Sequence, residues 1–302
     1  MVENALPSTV NMKRLSLSDL ELARLESPGT PDHRLVEELA RGLITDLGLE
    51  PPISHDIVAS MRDVIRIEEA DIPWAGYLAP APDGLAITLR VGDSPRKQRF
   101  TAFHEVQHTY MPGFRTAPQF RCDPATPPAA ITKRNPGLEA LCDIGAAELL
   151  LPRSWFTADT AGNPATLDLV EALADRYDAS LEATARRLVT LHPSPVLLVA
   201  FEPSCKPTEP AAEPALRVQW VHANGPWPFV PKHKSVRDDS VFGHALGGQP
   251  AEELVSMSTL VPYSTELVHV SSRLYPYADN QGEQHMRVLA LITPARTRRN
   301  ES

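Results

Sequence analysis

The stretch His104-Glu105-Val106-Gln107-His108 constrains this chain more than any other. On a helix it sets two imidazoles four residues apart on one face with a carboxylate beside them, which makes a divalent-metal site with its own general base. The flanks predict that helix. Ser94-Pro95 offers an N-cap and a first-turn proline, Phe100, Phe103, Val106 and Tyr110 recur at helical spacing, and Pro112-Gly113 ends the run. The alternative is an amphipathic helix with incidental histidines. A third ligand decides between them, because a hydrolytic zinc site takes three protein ligands and leaves a fourth position to water.

Asn135-Pro136 to Pro152 reads as a second, buried helix, with Leu138, Leu141, Cys142, Gly145, Ala146 and Leu149 on one apolar face. Glu139 and Asp143 border that face one turn apart. Turned inward, they suit a third zinc ligand, assigned to Glu139, and a carboxylate that orients a ligand histidine through its other nitrogen, assigned to Asp143. Turned outward, both are solvated helix-edge acids. Glu148 falls off this edge and is expected to face water, and Cys142 reads as core. Tyr77 and Tyr110 are the nearest candidates for a second oxyanion donor, against the ordinary packing role of such tyrosines.

At these residues the chain resembles the ImmA/IrrE family of zinc metallopeptidases, in its IrrE-like members and the CapP branch associated with phage defence. The resemblance lies in Gln98 to His108, Glu139 to Asp143 and Leu149 to Pro152, and extends more weakly over most of the chain after about residue 35. It implies a small, gluzincin-like zincin fold, Zn2+ held by His104, His108 and Glu139, and a water activated by Glu105. It also implies a helix-turn-helix repressor as substrate, whose cleavage releases stress, mobile-element or phage-defence genes. Between the two motif helices, Phe114 to Lys133 is long and Pro-rich. Its Cys122 could reach the open zinc position as a thiolate and hold the peptidase off, as some phage-defence members of the family do, or be an ordinary buried cysteine.

Val64 to Ile67 and Leu85 to Val91 read as strands, with Gly76 to Leu78 between them and Pro82-Asp83-Gly84 as a turn. The strand from Leu85 to Val91 leads into the motif helix, and is expected either to pair with an extended substrate or to lie inside the sheet with both edges taken.

The 302 residues, 42% hydrophobic and 22% charged, provide for a large core and two or three domains. No apolar run is long enough to span a bilayer. Three cysteines and the lack of an apolar core in Met1 to Arg14 point to a reducing cytoplasm. The expected division is a flexible start (1–34), the metal domain (35–158), a helical segment (159–202), a Pro-rich linker (203–214) and an α+β module (215–296). In the helical segment, Leu167 to Tyr177 and Leu181 to Leu191 imitate a helix-turn-helix, with Ser180 as cap and Arg186 and Arg187 on the second helix. The last module alternates as strands do, with one helix near Ser240 to Leu246, and resembles the GAF-like domain of the IrrE branch.

Residues 1–213 carry 20 Lys+Arg against 30 Asp+Glu, and residues 214–302 carry 9 against 8. So acidic a chain, net −9, is no general nucleic-acid binder. The near-neutral module could still hold single-stranded DNA through Lys232, Lys234, Arg237, Arg273 and Arg287 beside Trp220, Trp227 and Phe229, or present these as a solvated face over an aromatic core. Two functions remain: a regulated zinc endopeptidase that cleaves a repressor, with the last module as sensor, and a non-catalytic zinc-containing regulator that binds a ligand or protein there.

Overall fold

The computed structural model describes residues 17–114, 135–278 and 283–295. The chain is α+β and divides into two compact units: Met1–Arg153 with Arg176–Ala179, and Ser154–Asp175 with Ser180–Ser302.

The first unit begins with helices α1 (Asp19–Glu26), α2 (Asp32–Asp46) and α3 (His55–Ser60). The flexible start expected for 1–34 is therefore corrected over its described part. Ser18 accepts from the Glu21 amide at 3.2 Å while Glu21 Oε2 accepts from the Ser18 amide at 2.8 Å, a reciprocal cap that contributes about 1 kcal/mol. Leu20 is fully buried with Leu35, Val36, Met111 and Cys142.

Strands β1 (Val64–Ala70), β2 (Gly76–Ala81) and β3 (Gly84–Arg90) form one sheet in the order β1-β3-β2, with β3 parallel to β1 and antiparallel to β2. The strand leading into the motif helix is thus interior. The expectation that it pairs with an extended substrate is overturned, because both rows of its backbone hydrogen bonds are already taken.

Helix α4 (Pro95–His108) follows, capped by the Ser94 hydroxyl, which accepts from the Lys97 amide at 3.3 Å. Its Ala102, Phe103 and Val106 are fully buried. Gly76 lets β2 press onto this helix, since a Cβ there would lie 2.6 Å from Thr101 Cγ2. Arg99 anchors the same helix by donating to the carbonyls of Tyr177 at 2.9 Å and Ile53 at 2.6 Å.

Helix α5 (Pro136–Leu150) is capped by Asn135, whose Oδ1 accepts from the Gly137 amide at 3.0 Å. It meets α4 through Gly145, where a Cβ would lie 2.2 Å from Gln107 Oε1. Glu148 does not face water. It is fully buried, 3.5 Å from Arg41 Nε, and accepts from the Arg153 amide at 3.1 Å, so an unshielded position became an internal ion pair.

In the second unit come α6 (Arg153–Thr160, from its second residue), α7 (Leu167–Tyr177, to Asp175), α8 (Leu181–Leu191), β4 (Val196–Ser204) and β5 (Ala215–Asn224). Helix α9 (Val241–Leu246) and strands β6 (Ala251–Ser256), β7 (Leu267–Ala278) and β8 (Gln284–Pro294) complete it. Its antiparallel sheet runs β5-β4-β8-β7-β6.

Strand β4 begins this sheet inside the segment read as helical (159–202). Residues 203–214 do not separate domains either: β4 pairs with β5 down to Ser204 opposite Ala215, so these residues close a hairpin. Strand β6 ends at Ser256. There the Ser256 hydroxyl accepts from the Ser258 amide at 3.3 Å and starts a 3-10 turn. The core under the sheet is built from Val199, Phe201, Phe242, Val270, Val288 and Ile292, with the Phe201 and Phe242 rings 4.6 Å apart. No helix among the described residues is long and apolar enough to cross a membrane.

Candidate metal centre

The centre lies where two helix faces of the first unit oppose each other. On α4 the four-residue spacing stacks His104 over His108, their ring centroids 5.0 Å apart. On α5, Glu139, Cys142 and Asp143 share one face because residues three and four apart do. Gly145 permits the close approach that brings the two faces together.

Each histidine has one ring nitrogen toward Glu139 and the other toward a different α5 residue. His104 Nε2 is 3.2 Å from Glu139 Oε2, and His104 Nδ1 is 2.8 Å from Asp143 Oδ1. His108 Nε2 is 3.9 Å from Glu139 Oε1, and its Nδ1 is 3.4 Å from Cys142 Sγ. Glu105, only 4% exposed, brings Oε2 to 3.9 Å from His108 Nε2.

Burial disfavours charge on His104. Hydrogen bonds to Asp143 and then Glu139 outweigh it and push the imidazole up to about 10. Without metal, His104 is an imidazolium donating to both carboxylates.

Two donor sets share the histidines. One ligand atom each from His104, His108 and Cys142 lie within 4.8 Å of one another. The other set is His104, His108 and Glu139. In the second set each histidine turns Nε2 to a different oxygen of the Glu139 carboxylate. Donors sharing a tetrahedral zinc sit about 3.3 Å apart, given metal–ligand bonds of about 2.0–2.2 Å. The His104 Nε2–Glu139 Oε2 distance, 3.2 Å, lies close to that value and the His108 Nε2–Glu139 Oε1 distance, 3.9 Å, is longer, while Cys142 sits on the opposite ring edge of His108 from the nitrogen facing Glu139.

Of the residues singled out in the sequence, His104, Glu105, His108, Glu139 and Asp143 come together. Cys122 lies outside the described residues. Tyr77 is buried edge-on against Trp74, ring centroids 6.4 Å apart. Tyr110 carries the Arg62 guanidinium 3.9 Å over its ring, and lines a cavity of about 360 Å³ with Glu26, Glu38 and Asp46. Burial raises its phenol above the ordinary value. Neither tyrosine is set against the histidines by a described contact. Cys142 is core, as read, and its contact with His108 Nδ1 is what sequence reasoning missed. Cys142 stands three positions after Glu139, and that spacing was the only signal of the contact.

In the second unit, Arg273 pairs with Asp168 and Glu171, both at 2.6 Å, and Arg287 with Glu182 at 2.8 Å and Glu202 at 2.7 Å. Exposed Arg237 holds Asp239 at 2.6 Å. Arg186 lies 3.9 Å over the Trp220 ring, and Arg187 is buried. Lys232 and Phe229 are exposed, and Lys234 is half-buried.

Residues 66–189 match the family model described as "IrrE N-terminal-like domain", a peptidase family. The comparison with curated proteins gives no match. Among solved structures, a "Mycobacterium tuberculosis transcriptional regulator" is similar at 11% identity and a TM-score of 0.53, over 86% of this chain and 76% of that one. At that identity the likeness is one of fold.

Proposed function

Residues 66–189 belong to the ImmA/IrrE family as its IrrE N-terminal-like domain, and from that premise we propose that the chain is a zinc-dependent endopeptidase acting on a helix-turn-helix transcriptional repressor in the cytoplasm. The observation that carries this reading is the pair of histidine Nε2 atoms turned to one carboxylate, with the Glu105 carboxylate alongside.

His104, His108 and Glu139 would hold the ion in a gluzincin-like zincin arrangement. Zinc, when bound, supplies Lewis-acid activation of water and charge stabilisation for a developing oxyanion. Glu105 takes the proton of the attacking water at its carboxylate and passes it to the departing amine. Asp143 keeps the His104 ring turned toward the ion by accepting at Nδ1. The substrate backbone meets an edge of the sheet at β1 or β2, since β3 has no open side.

In this reading the second unit is the sensor, GAF-like in its sheet, with α7 and α8 as the helix-turn-helix-like subdomain. Single-stranded DNA is the proposed effector, resting on Lys232, Lys234 and the exposed ring of Phe229, because Arg273 and Arg287 already hold carboxylates. Cys122 is the proposed restraint on the metal, so that Cys122→Ser raises activity. A role in gene control accords with the likeness in fold to a transcriptional regulator.

The test is zinc-loaded protein incubated with helix-turn-helix repressors encoded beside its gene, products read by mass spectrometry. One cut is expected, lost by at least about 100-fold in Glu105→Gln with zinc content unchanged. Equal cleavage by Glu105→Gln, or failure of the wild type to take up one zinc, overturns the reading. The convergence of Cys142 with both histidines favours a second reading, a closed structural zinc site in a non-catalytic regulator.

A further inference from the structure

We infer that Cys142 is a positioning residue for His108, the counterpart of Asp143 for His104. The inference rests on the proposed His104, His108 and Glu139 ion site. A neutral imidazole that gives Nε2 to a metal keeps its proton on Nδ1, and that N–H needs an acceptor to fix the ring plane.

For His104 the acceptor is Asp143 Oδ1 at 2.8 Å. For His108 it is Cys142 Sγ at 3.4 Å, a hydrogen-bond distance for the larger sulfur atom. Cys142 is fully buried and His108 is 6% exposed, so water does not compete for that nitrogen. Consecutive residues of one helix, 142 and 143, thus serve the two histidines of the facing helix. The arrangement follows from spacing: Cys142 lies three residues and Asp143 four after Glu139, placing all three on the stripe that faces His104 and His108. Sulfur is a softer and weaker acceptor than a carboxylate, so the two histidines are held unequally.

Zinc affinity, measured by competition with a chromophoric chelator, tests this in full-length wild type, Cys142→Ala and Cys142→Ser. Cys142→Ala is expected to bind about 10–100-fold more weakly, with Cys142→Ser recovering most of the loss because its hydroxyl accepts from Nδ1–H. Circular dichroism melting of the metal-free variants separates this from misfolding. In the wild type, long-range proton–nitrogen spectra of the zinc form are expected to show His108 metallated at Nε2 and protonated at Nδ1. That measurement decides the matter even where a variant fails to fold. Cobalt-loaded Cys122→Ser protein, in which Cys122 supplies no thiolate, is expected to lack a thiolate-to-metal charge-transfer band. Unchanged affinity in Cys142→Ala, His108 bound through Nδ1, or a charge-transfer band that vanishes in Cys142→Ser overturns the inference. A wild type that binds no zinc fails the endopeptidase reading first, whereas normal wild-type binding with an indifferent Cys142 removes only this step.

Discussion

Asp143 Oδ1 lies 2.8 Å from His104 Nδ1, on the ring edge opposite the nitrogen that faces Glu139. Deleting that acceptor frees the ring to rotate. Asp143→Ala is expected to weaken zinc binding by about 10–100-fold, while Asp143→Asn, which still offers an oxygen, keeps most of it. Chelator competition on the three proteins checks this, and equal affinities would show that Asp143 does not orient the ring.

Metal uptake should release a proton at a pH where an ordinary histidine has none to give. Asp143 and Glu139 outweigh burial and hold His104 at about 10, so at pH 8 it is charged without metal and must become neutral to coordinate. About one proton per zinc is expected at pH 8 from this group, falling at higher pH as His104 titrates, and smaller in Asp143→Ala. Calorimetry in buffers of different ionisation enthalpy reads the number directly.

Gly145→Ala should damage both stability and the site. The new methyl would meet Gln107 Oε1 at 2.2 Å and Val36 Cγ1 at 2.8 Å, forcing α5 away from α4. Overpacking of this kind costs about 1–3 kcal/mol. Urea denaturation should report that loss, with weaker zinc binding beside it. A variant as stable as wild type would mean that Gln107 moves aside without cost.

The second unit should lose stability on the acid side through His222. Burial, and then the nearby Arg186 charge, lower its pKa from the ordinary value of about 6.5. A base whose folded pKa is lowered contributes fully above the unfolded value and loses that contribution as pH falls through it. His222→Gln should therefore flatten the decline in urea midpoint of the second unit below about pH 6.5. His55, lowered likewise by burial, works in the same direction in the first unit.

The site helices were legible because their signals are local: Ser94-Pro95 and Asn135-Pro136 cap in the structure as their chemistry dictates. Helical spacing set which residues share a face on each helix, and the family resemblance implied that His104, His108 and Glu139 meet across them. What was lost depended on distant partners. Nothing near Arg273 or Arg287 in the chain announces Asp168, Glu171 or Glu182, about 100 residues away, and their ion pairs convert an apparent basic patch into internal ties. Glu148 looked solvated for the same reason, because Arg41 comes from another helix. Strand β4 failed differently: Val196 to Phe201 is a continuous apolar run, and such a run has no period to distinguish strand from helix. The cap formed by Ser18 and Glu21 was readable, but the Ser- and Pro-rich composition around it carried the reading.

The turn joining β4 to β5 leaves its sheet at Ser204 and rejoins it at the directly opposite Ala215, with residues 206–214 all exposed. Its two roots are fastened by the ladder itself, so its tip can grow or shrink without disturbing what lies beneath. That makes it a natural splice point for a fluorophore or affinity handle, and the part of this unit where relatives should tolerate the widest variation in length.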